Sequence, residues 1–465
     1  MADGGMTPQQ INEMAAPDMA ALFTQGQAGN VVQTCPKVIL EIGVFFDGTG
    51  NNERNAQVGG TEGSFANARS NVSLLKELYY PGGDQYDERN ACGGYAKRYS
   101  RLYVQGIGTS NDEEDDLWGM AMGVGERGVE NRVIRAALDV GQIINRLSPG
   151  IEPEEIVLDV FGFSRGAAAA RHFVNGFNAG QLDYSRWGLF NDIHARLPEG
   201  RNVRLRFVGI FDTVAAIGTN ANDANNQDVN VHLNSGSADT IFHLTANDEI
   251  RHSFSLNDNQ PGGGEVERLP GVHSDVGGGY HQNFREEPVI KLPDTGMATS
   301  RAAAQTQQTQ RVALLRSRAM ADAAVFVAEG WITPADVPTA WDIQPDGIEL
   351  VHVPGSMFSP GSTYYTWKVQ TRLKRPWVRH ELSRIALKKM YEKAVASDVP
   401  MNALPTSGDY AIPAGLEGAS AAIKKRNYTH HSANYNDVYP IIGAPMREGA
   451  GRRRTIHRNQ AGLAK

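Results

Sequence analysis

Ser164 lies in a Gly-Phe-Ser-Arg-Gly stretch at residues 162–166, where the residue types most clearly suggest chemistry. An apolar run at residues 156–161 leads into it, and four alanines follow at residues 167–170. A strand that ends at Gly-x-Ser-x-Gly and continues as a helix makes a sharp turn, which presents the serine hydroxyl as a nucleophile. Glycine and alanine suit this turn because larger side chains would hold the helix away from the sheet. The pattern predicts Ser164 as the nucleophile of acyl transfer; an ordinary strand-to-helix connection is the alternative.

A serine nucleophile needs a base and an acid that orients the base. In doubly wound hydrolases both follow the serine along the chain, on loops at the carboxyl ends of later strands. Asp212 ends one apolar run and His273 ends another, and both precede turn-forming residues. We predict that His273 takes the serine proton and that Asp212 fixes the imidazole tautomer and stabilises the imidazolium.

Other acids and histidines remain as alternatives. Asp258 ends a segment predicted as a strand, residues 250–258, and is a second candidate for the acid. Asp275 is a third candidate, and it can instead support the loop of His273 or bind a cation. The other histidines considered lie in the helix after the serine and near the C-terminus: His172, His430 and His431.

The oxyanion of the tetrahedral intermediate needs backbone donors close to the nucleophile. Arg165 begins the helix after the serine, so its N–H is the first predicted donor. The loop after the first core strand recruits the second donor in such folds, which indicates the N–H of Gly48 or Thr49. Asp47 can also bond to its own backbone in an Asx-type turn, and the two interpretations are compatible.

The elements that must position these residues alternate along the chain. Apolar runs and helical spacing predict strands at residues 38–46, 101–109, 156–161, 204–214, 250–258 and 265–273, with helices at residues 128–147 and 164–177. Strand and helix in alternation predict an α/β fold, with a doubly wound, mainly parallel sheet flanked by helices, like that of α/β-hydrolases. The near-continuous apolar strands indicate a sheet covered on both faces.

The composition changes along the chain and predicts four parts: a flexible N-terminal arm at residues 1–35, a catalytic core at residues 36–290, a helical cap, lid or membrane-contacting region at residues 291–425, and a C-terminal segment at residues 426–465 that packs back on the core and has a basic tail. An amphipathic helix is predicted at residues 376–400. The apolar residues within 312–332 predict a helix that either covers a core or forms a lid, and we favour the first interpretation.

The overall composition excludes several classes of protein. A formal net charge of −7 over 465 residues argues against a nucleic-acid partner. The N-terminus has neither the basic region nor the long apolar stretch of a signal peptide, so we expect synthesis in the cytoplasm without one. The two cysteines, Cys35 and Cys92, can form one disulfide but no C-x-x-C metal or redox motif. No metal or other cofactor is expected.

Six motifs, in this order, resemble the α/β-hydrolase domain of type VI secretion lipase effectors, the Tle-type phospholipases: VFFDGTGNN, YVQGIGT, FGFSRGAAAAR, VGIFDTVAAIG, LPGVHSDVGGGY and LSRIALKKMYEKA. The resemblance implies a triad of Ser164, Asp212 and His273. It also implies phospholipase A activity on bacterial membrane lipids, a VgrG-type spike protein as carrier, and a cognate immunity protein. One departure is the segment at residues 252–260, where relatives carry an acidic pair followed by arginine.

The leading hypothesis is therefore a serine phospholipase of the A1/A2 type that acts through an acyl-enzyme as an antibacterial effector. Such an effector is secreted by the type VI system and acts in the periplasm or membrane of the target cell. Two alternatives stay open: a cytosolic carboxylesterase or thioesterase acting on soluble esters, and an inactive binding protein with a hydrolase fold.

Overall fold

The structure is a computed structural model. It describes residues 37–80, 85–87, 95–116, 123–179, 181–183, 194–196, 202–218, 229–354, 361–435 and 454–464. The predicted N-terminal arm, both cysteines and residues 436–453 lie outside these ranges, whereas residues 454–464 of the basic tail lie within them.

Strands and helices alternate through the first half of the described chain, and a second group of strands follows. The strands are β1 (Lys37–Phe46), β2 (Gln85–Asp87), β3 (Tyr95–Val104), β4 (Glu155–Phe163), β5 (Gln181–Asp183), β6 (His194–Arg196), β7 (Val203–Phe211), β8 (Thr240–Ala246), β9 (Leu256–Asn257), β10 (Glu265–Leu269), β11 (Phe284–Glu286), β12 (Asp294–Ala298), β13 (Trp341–Pro345), β14 (Glu349–Val353), β15 (Ser362–Leu373), β16 (Arg375–Val378) and β17 (Ile456–His457). The α-helices are α1 (Glu53–Val58), α2 (Asn71–Leu78), α3 (Val129–Leu147), α4 (Arg165–Asn178), α5 (His273–Gly277), α6 (Arg301–Ala328), α7 (Val337–Ala340), α8 (Leu382–Ala396) and α9 (Ala421–Tyr428).

The central sheet has the strand order β10-β8-β7-β4-β1-β3-β2 within the described residues. Every neighbouring pair is parallel except β2 with β3. The order reverses between β1 and β4, because β3 pairs on one side of β1 and the later strands add on the other. Ligands bind at such a switch point, outside the carboxyl ends of the strands. Asp47, Ser164 and Asp212 each follow directly after a strand at this edge.

Both faces of the sheet are covered by helices, as the apolar strands predict. Helices α3 and α4 pack on one face, where the four consecutive alanines of α4 are fully buried. Helices α2 and α8 pack on the other face against aromatic side chains of the strands. Phe45 and Phe161 stack there with ring centroids 4.8 Å apart. The predicted α/β class with a mainly parallel, doubly wound sheet is therefore confirmed.

The region at residues 291–425 contains more strand than its composition predicts. Strands β12, β15 and β13 form an antiparallel sheet, to which β14 adds, and α6 covers one face of it. The buried face of α6 presents Val312, Leu315, Ala323 and Phe326 to this sheet, so the helix covers a core of its own. Helix α8 instead belongs to the core of the central sheet. No helix of the described ranges combines the length and apolar character that a membrane span requires.

Two segments differ from their predicted secondary structure. The expected strand at residues 250–258 is mostly loop, and only Leu256–Asn257 is extended as β9. The reason is local: Arg251 folds back onto Glu249 in an ion pair of 2.9 Å and its guanidinium lies over the Phe254 ring. The expected helix at residues 376–400 begins only at Leu382, because residues 375–378 pair with β11 as β16.

A buried ionic cluster joins three central strands. The Arg206 guanidinium donates to both carboxylate oxygens of Asp159, at 2.9 and 2.6 Å, and lies 2.8 Å from Glu41. The Tyr79 hydroxyl adds a hydrogen bond of 2.8 Å to Asp159. Burial raises the pKa of Asp159 above its ordinary value despite the arginine. The arginine therefore compensates two carboxylates that water cannot reach.

Arg206→Met should lower the free energy of unfolding by about 3–5 kcal/mol, since it leaves a buried charge without its partner. The deficit should shrink at acidic pH, where the carboxyl groups are protonated. Arg204→Met is the matched control, because Arg204 lies on the same strand, is half exposed and pairs with the exposed Asp239; it should cost about 0–1 kcal/mol. Urea unfolding of both variants measures the difference, and equal costs would contradict this account of the cluster.

Candidate active site

Ser164 occupies the turn between β4 and α4 in a strained conformation. Its φ and ψ are 58° and −127°, a region that residues other than glycine rarely adopt. The turn is held by the Ser164 N–H, which donates to the Phe211 carbonyl at 3.1 Å, and by the Ser164 carbonyl, which accepts from Ala167 and Ala168. The serine thus lies at the N-terminal end of α4, with the helix dipole directed at it.

The two glycines of the motif allow the close packing that this turn requires. A Cβ atom at Gly166 would lie 2.2 Å from the Asp47 carbonyl oxygen, and one at Gly162 would lie 2.7 Å from the Ala167 Cα. Both distances are far below van der Waals contact. The start of α4 therefore lies directly against the end of β1, which brings the loop after β1 next to the serine.

Asp212 and His273 are brought together by the ends of β7 and β10. The His273 Nδ1–H donates to Asp212 Oδ2 at 2.6 Å, and both side chains are buried. Asp212 Oδ1 also accepts from the Ala246 N–H at 2.9 Å. Asp212 has a positive φ of 40°, so it shares with Ser164 a strained backbone. The hydrogen bond at Nδ1 leaves His273 Nε2 as the nitrogen that can accept a proton.

Aromatic contacts link His273 to the serine turn. Its ring lies against Phe163, the residue before Ser164, with centroids 4.6 Å apart, and meets the edge of Phe254 at 4.9 Å. Gly277 allows this contact, because a Cβ there would lie 1.9 Å from the Phe163 ring. Helix α5 and the turn at Ser164 therefore pack as one unit.

Burial and neighbouring charges act in opposite directions on this pair. Burial alone would raise the pKa of Asp212, but the charge of Arg454 and the hydrogen bond from His273 hold it well below its ordinary value. Burial is the largest influence on His273 and lowers its pKa, against the raising effect of Asp212. The pair is therefore an aspartate anion beside a neutral imidazole, the protonation state that a general base requires.

Arg454, which the sequence analysis did not select, lies on the other side of Asp212. Its guanidinium donates to Oδ1 at 2.6 Å and to Oδ2 at 2.9 Å. The contact joins residues that are 242 positions apart, so no local pattern indicates it.

Glu249 and Arg251 form a second supporting group that the sequence analysis missed. Glu249 accepts the backbone N–H of His273 at 3.2 Å and pairs with Arg251. Asp248 accepts the N–H of Gly271 at 2.7 Å in the same loop. These residues are an acidic pair followed by an arginine, the pattern that the resemblance implies for residues 252–260. The pattern is therefore present in the sequence, a few residues upstream of that segment.

Asp275 and His430 pair with each other and not with Asp212. The His430 Nδ1–H donates to Asp275 at 2.6 Å, and the His430 ring stacks on Tyr280 at 3.7 Å. Asp275 also accepts the Val272 N–H at 2.9 Å, so it supports the loop of His273, one of its predicted roles. No group of acids, histidines and cysteines within the described ranges has the arrangement of a metal site.

The remaining alternatives lie apart from the Asp212–His273 pair. The Asp258 carboxylate accepts the Gln260 N–H at 3.2 Å, and its strand is only β9. His172 Nδ1 accepts the Asn230 N–H at 3.1 Å, and His431 Nδ1 lies 3.0 Å from the Ala433 carbonyl oxygen. Because Asp212 occupies His273 Nδ1, Asp258 does not take the position of the acid.

The loop after β1 borders the turn, but its donors are not equivalent. The Gly48 N–H donates to Asp47 Oδ1 at 2.7 Å, which is the Asx-type interaction, so Gly48 is less suited to an oxyanion than predicted. Burial raises the pKa of Asp47 to about 6, although the Tyr103 hydroxyl donates to it at 2.6 Å. The Arg165 Nε–H donates to Thr49 Oγ1 at 2.8 Å, which brings the backbone of Thr49 close to the start of α4.

Comparison with known proteins agrees with this geometry. Residues 183–298, about a quarter of the chain, match the family described as "T6SS, Phospholipase effector Tle1-like, catalytic domain". The chain resembles Tle1-like phospholipase effectors. The matched segment contains both Asp212 and His273, and the resemblance predicted from the six motifs is confirmed.

Two solved structures are also similar to the chain. One is described as "Structure of the Tle1 effector bound to the VgrG spike from the Type 6 secretion system"; it is 22% identical, with 89% of this chain and 90% of that chain covered and a TM-score of 0.53, which indicates a shared fold. The other is described as "Crystal structure of an uncharacterized protein from Pseudomonas aeruginosa", at 18% identity and a TM-score of 0.35, with 92% of this chain and 53% of that chain covered. No curated protein matches the chain.

Asp212→Asn should reduce kcat for a soluble ester by about 10⁴-fold, because the amide no longer selects the required tautomer of His273. Asp258→Asn is the control and should stay within a few-fold of wild type. A larger loss from Asp258→Asn than from Asp212→Asn would overturn the choice of acid.

The pH dependence of the wild type gives a second prediction. The acidic limb of the kcat/KM profile should have its midpoint below the pKa of an ordinary histidine, because burial lowers the pKa of His273 and the base acts only when it is neutral.

Proposed function

We propose that the protein is a serine phospholipase that hydrolyses acyl esters of bacterial membrane phospholipids and acts as an antibacterial type VI secretion effector. The observation that carries the proposal is the Asp212–His273 hydrogen bond beside the strained turn at Ser164. An aspartate, a neutral imidazole and a serine on a strained turn are the three groups of acyl transfer to serine.

The proposed reaction has two halves. His273 Nε2 takes the Ser164 proton as Oγ attacks the ester carbonyl carbon, and it returns that proton to the departing lysophospholipid alkoxide. Water then attacks the acyl-serine with His273 again as base, which releases a fatty acid and restores Ser164. Asp212 stabilises the imidazolium in both halves. The backbone N–H groups of Arg165 and Thr49 stabilise the oxyanion, with that of Gly48 as a weaker candidate.

The similarity to Tle1-like effectors supports the substrate and the route of delivery. The matched family is described as a phospholipase effector, and the similar structure is a Tle1 effector bound to a VgrG spike. We propose a phospholipid bilayer as substrate, a VgrG-type spike protein as carrier and a cognate immunity protein as inhibitor. The site of action is the periplasmic side of the target cell's membranes, after synthesis in the cytoplasm of the producer.

The bond that is cut can be identified from the products. Purified wild type and Ser164→Ala are incubated with phosphatidylethanolamine and phosphatidylglycerol vesicles of mixed acyl composition, and the lipids are analysed by mass spectrometry. Wild type should release lysophospholipid and fatty acid, and Ser164→Ala should release neither. Ser317→Ala, in an exposed serine of α6, is the matched control. Full activity of Ser164→Ala would overturn the proposal, and cleavage of soluble esters without cleavage of vesicles would favour the carboxylesterase.

The site of action can be tested by expression in a susceptible bacterium. Wild type carrying an added export signal should stop growth, whereas the same protein without the signal should be tolerated. Exported Ser164→Ala should be harmless, because toxicity requires hydrolysis. Growth arrest by exported Ser164→Ala would contradict an enzymatic basis for the toxicity, and arrest only by the form without the signal would contradict the periplasmic side as site of action.

A further inference from the structure

Residues 454–464, which we call the strap, fold back onto the loop that follows β8. Strand β17 of the strap pairs in parallel with β9, with Ile456 opposite Leu256. The buried Asn459 side chain fastens the strap further, because its amide donates to the carbonyls of Leu233 and Pro261, both at 2.7 Å, and its oxygen accepts the Leu233 N–H at 3.1 Å. The strap is therefore held on the surface at this edge of the sheet by the β17–β9 pairing and by the buried Asn459.

The strap delivers Arg454 to Asp212. Only 6% of the Arg454 side chain and none of the Asp212 side chain is exposed. The guanidinium forms a two-pronged contact with the carboxylate, and its Nε–H donates to the Phe254 carbonyl. Asp212 therefore receives donors from the strap, from the Ala246 N–H at the end of β8 and from His273 on α5.

We propose that Arg454 is a positioning residue for the catalytic acid. Its planar guanidinium, which donates to both oxygens of Asp212, fixes the plane of the carboxylate and holds it as an anion that faces His273. The proposal rests on the function proposed above, since it gives Asp212 its role. Arginine suits this position because its planar fork matches a carboxylate in two places and stays charged when buried, unlike lysine.

The pKa of His273 depends on all the charged groups that face its ring. Asp212 and Glu249 favour the imidazolium, and Arg251 and Arg454 oppose it. His243 of β8 lies next to Asp212 through Thr213, and burial lowers its pKa to about 3, so it is neutral over the working range. Removal of the Arg454 charge therefore raises the pKa of His273 and moves the acidic limb of the kcat/KM profile to higher pH.

Three variants separate the effects of geometry and charge. Arg454→Gln removes the two-pronged contact and the positive charge, and Arg454→Lys keeps the charge without the two-pronged contact. Arg458→Gln removes an exposed arginine of the same strap. Each is assayed on a soluble ester across the pH range, with active enzyme counted by a fluorophosphonate probe and folding checked by thermal unfolding. Arg454→Gln should lower kcat on the order of 10²-fold, the size expected for a catalytic group displaced by about 1 Å, and its acidic limb should move to higher pH. Arg454→Lys should lose kcat with little shift of the limb, and Arg458→Gln should match wild type.

The outcomes distinguish this inference from the proposed function. If Ser164→Ala is inactive while Arg454→Gln retains the wild-type kcat and midpoint, the role of Arg454 is wrong and the serine mechanism stands. If Ser164→Ala retains activity, the proposed function itself fails. If Arg454→Gln does not fold, Arg454→Lys decides the question. A wild-type kcat in that variant would show that the two-pronged guanidinium contact is not needed, and the proposed role of Arg454 would be wrong.

Discussion

A carboxylate buried away from water must be given hydrogen bonds and positive charge by the protein, because burial otherwise protonates it. Asp212 is such a group, and the hydrogen bonds and positive charge that it needs come from several elements at this edge of the sheet. The Ala246 N–H comes from the end of the neighbouring strand, the imidazole from a short helix after β10, and the guanidinium from the strap. Three distant parts of the chain therefore converge on one side chain.

The second constraint is steric and acts at the serine. The start of α4 approaches the carbonyl groups at the end of β1 so closely that only glycine fits at position 166. This contact sets the distance between the serine turn and the loop that carries Thr49. The strain at Ser164 and Asp212 is sustained by the well-packed sheet beneath them, as is common at functional sites.

Local patterns were sufficient to predict the parts of the site that depend on single elements. The apolar run and small residues around Ser164 indicated the turn, and the ends of later strands indicated Asp212 and His273. Patterns failed where structure depends on distant pairing. Arg454 contacts a residue 242 positions away, and Glu249 accepts the backbone N–H of His273 from 24 positions away. The strands around α6 were missed because the Ala- and Gln-rich helix dominated the composition, and the strand expected before Asp258 is interrupted by the Arg251–Glu249 pair.

The position of Arg454 along the chain also bears on the order of events during synthesis. Translation proceeds from the N-terminus, so Ser164, Asp212 and His273 all emerge from the ribosome before the arginine that neutralises the buried acid. A nascent chain thus contains Ser164, Asp212 and His273 while the Asp212 carboxylate still lacks its counter-ion. The ion pair that holds the Asp212 carboxylate can therefore form only after the strap has been synthesised and has folded back onto the earlier part of the chain.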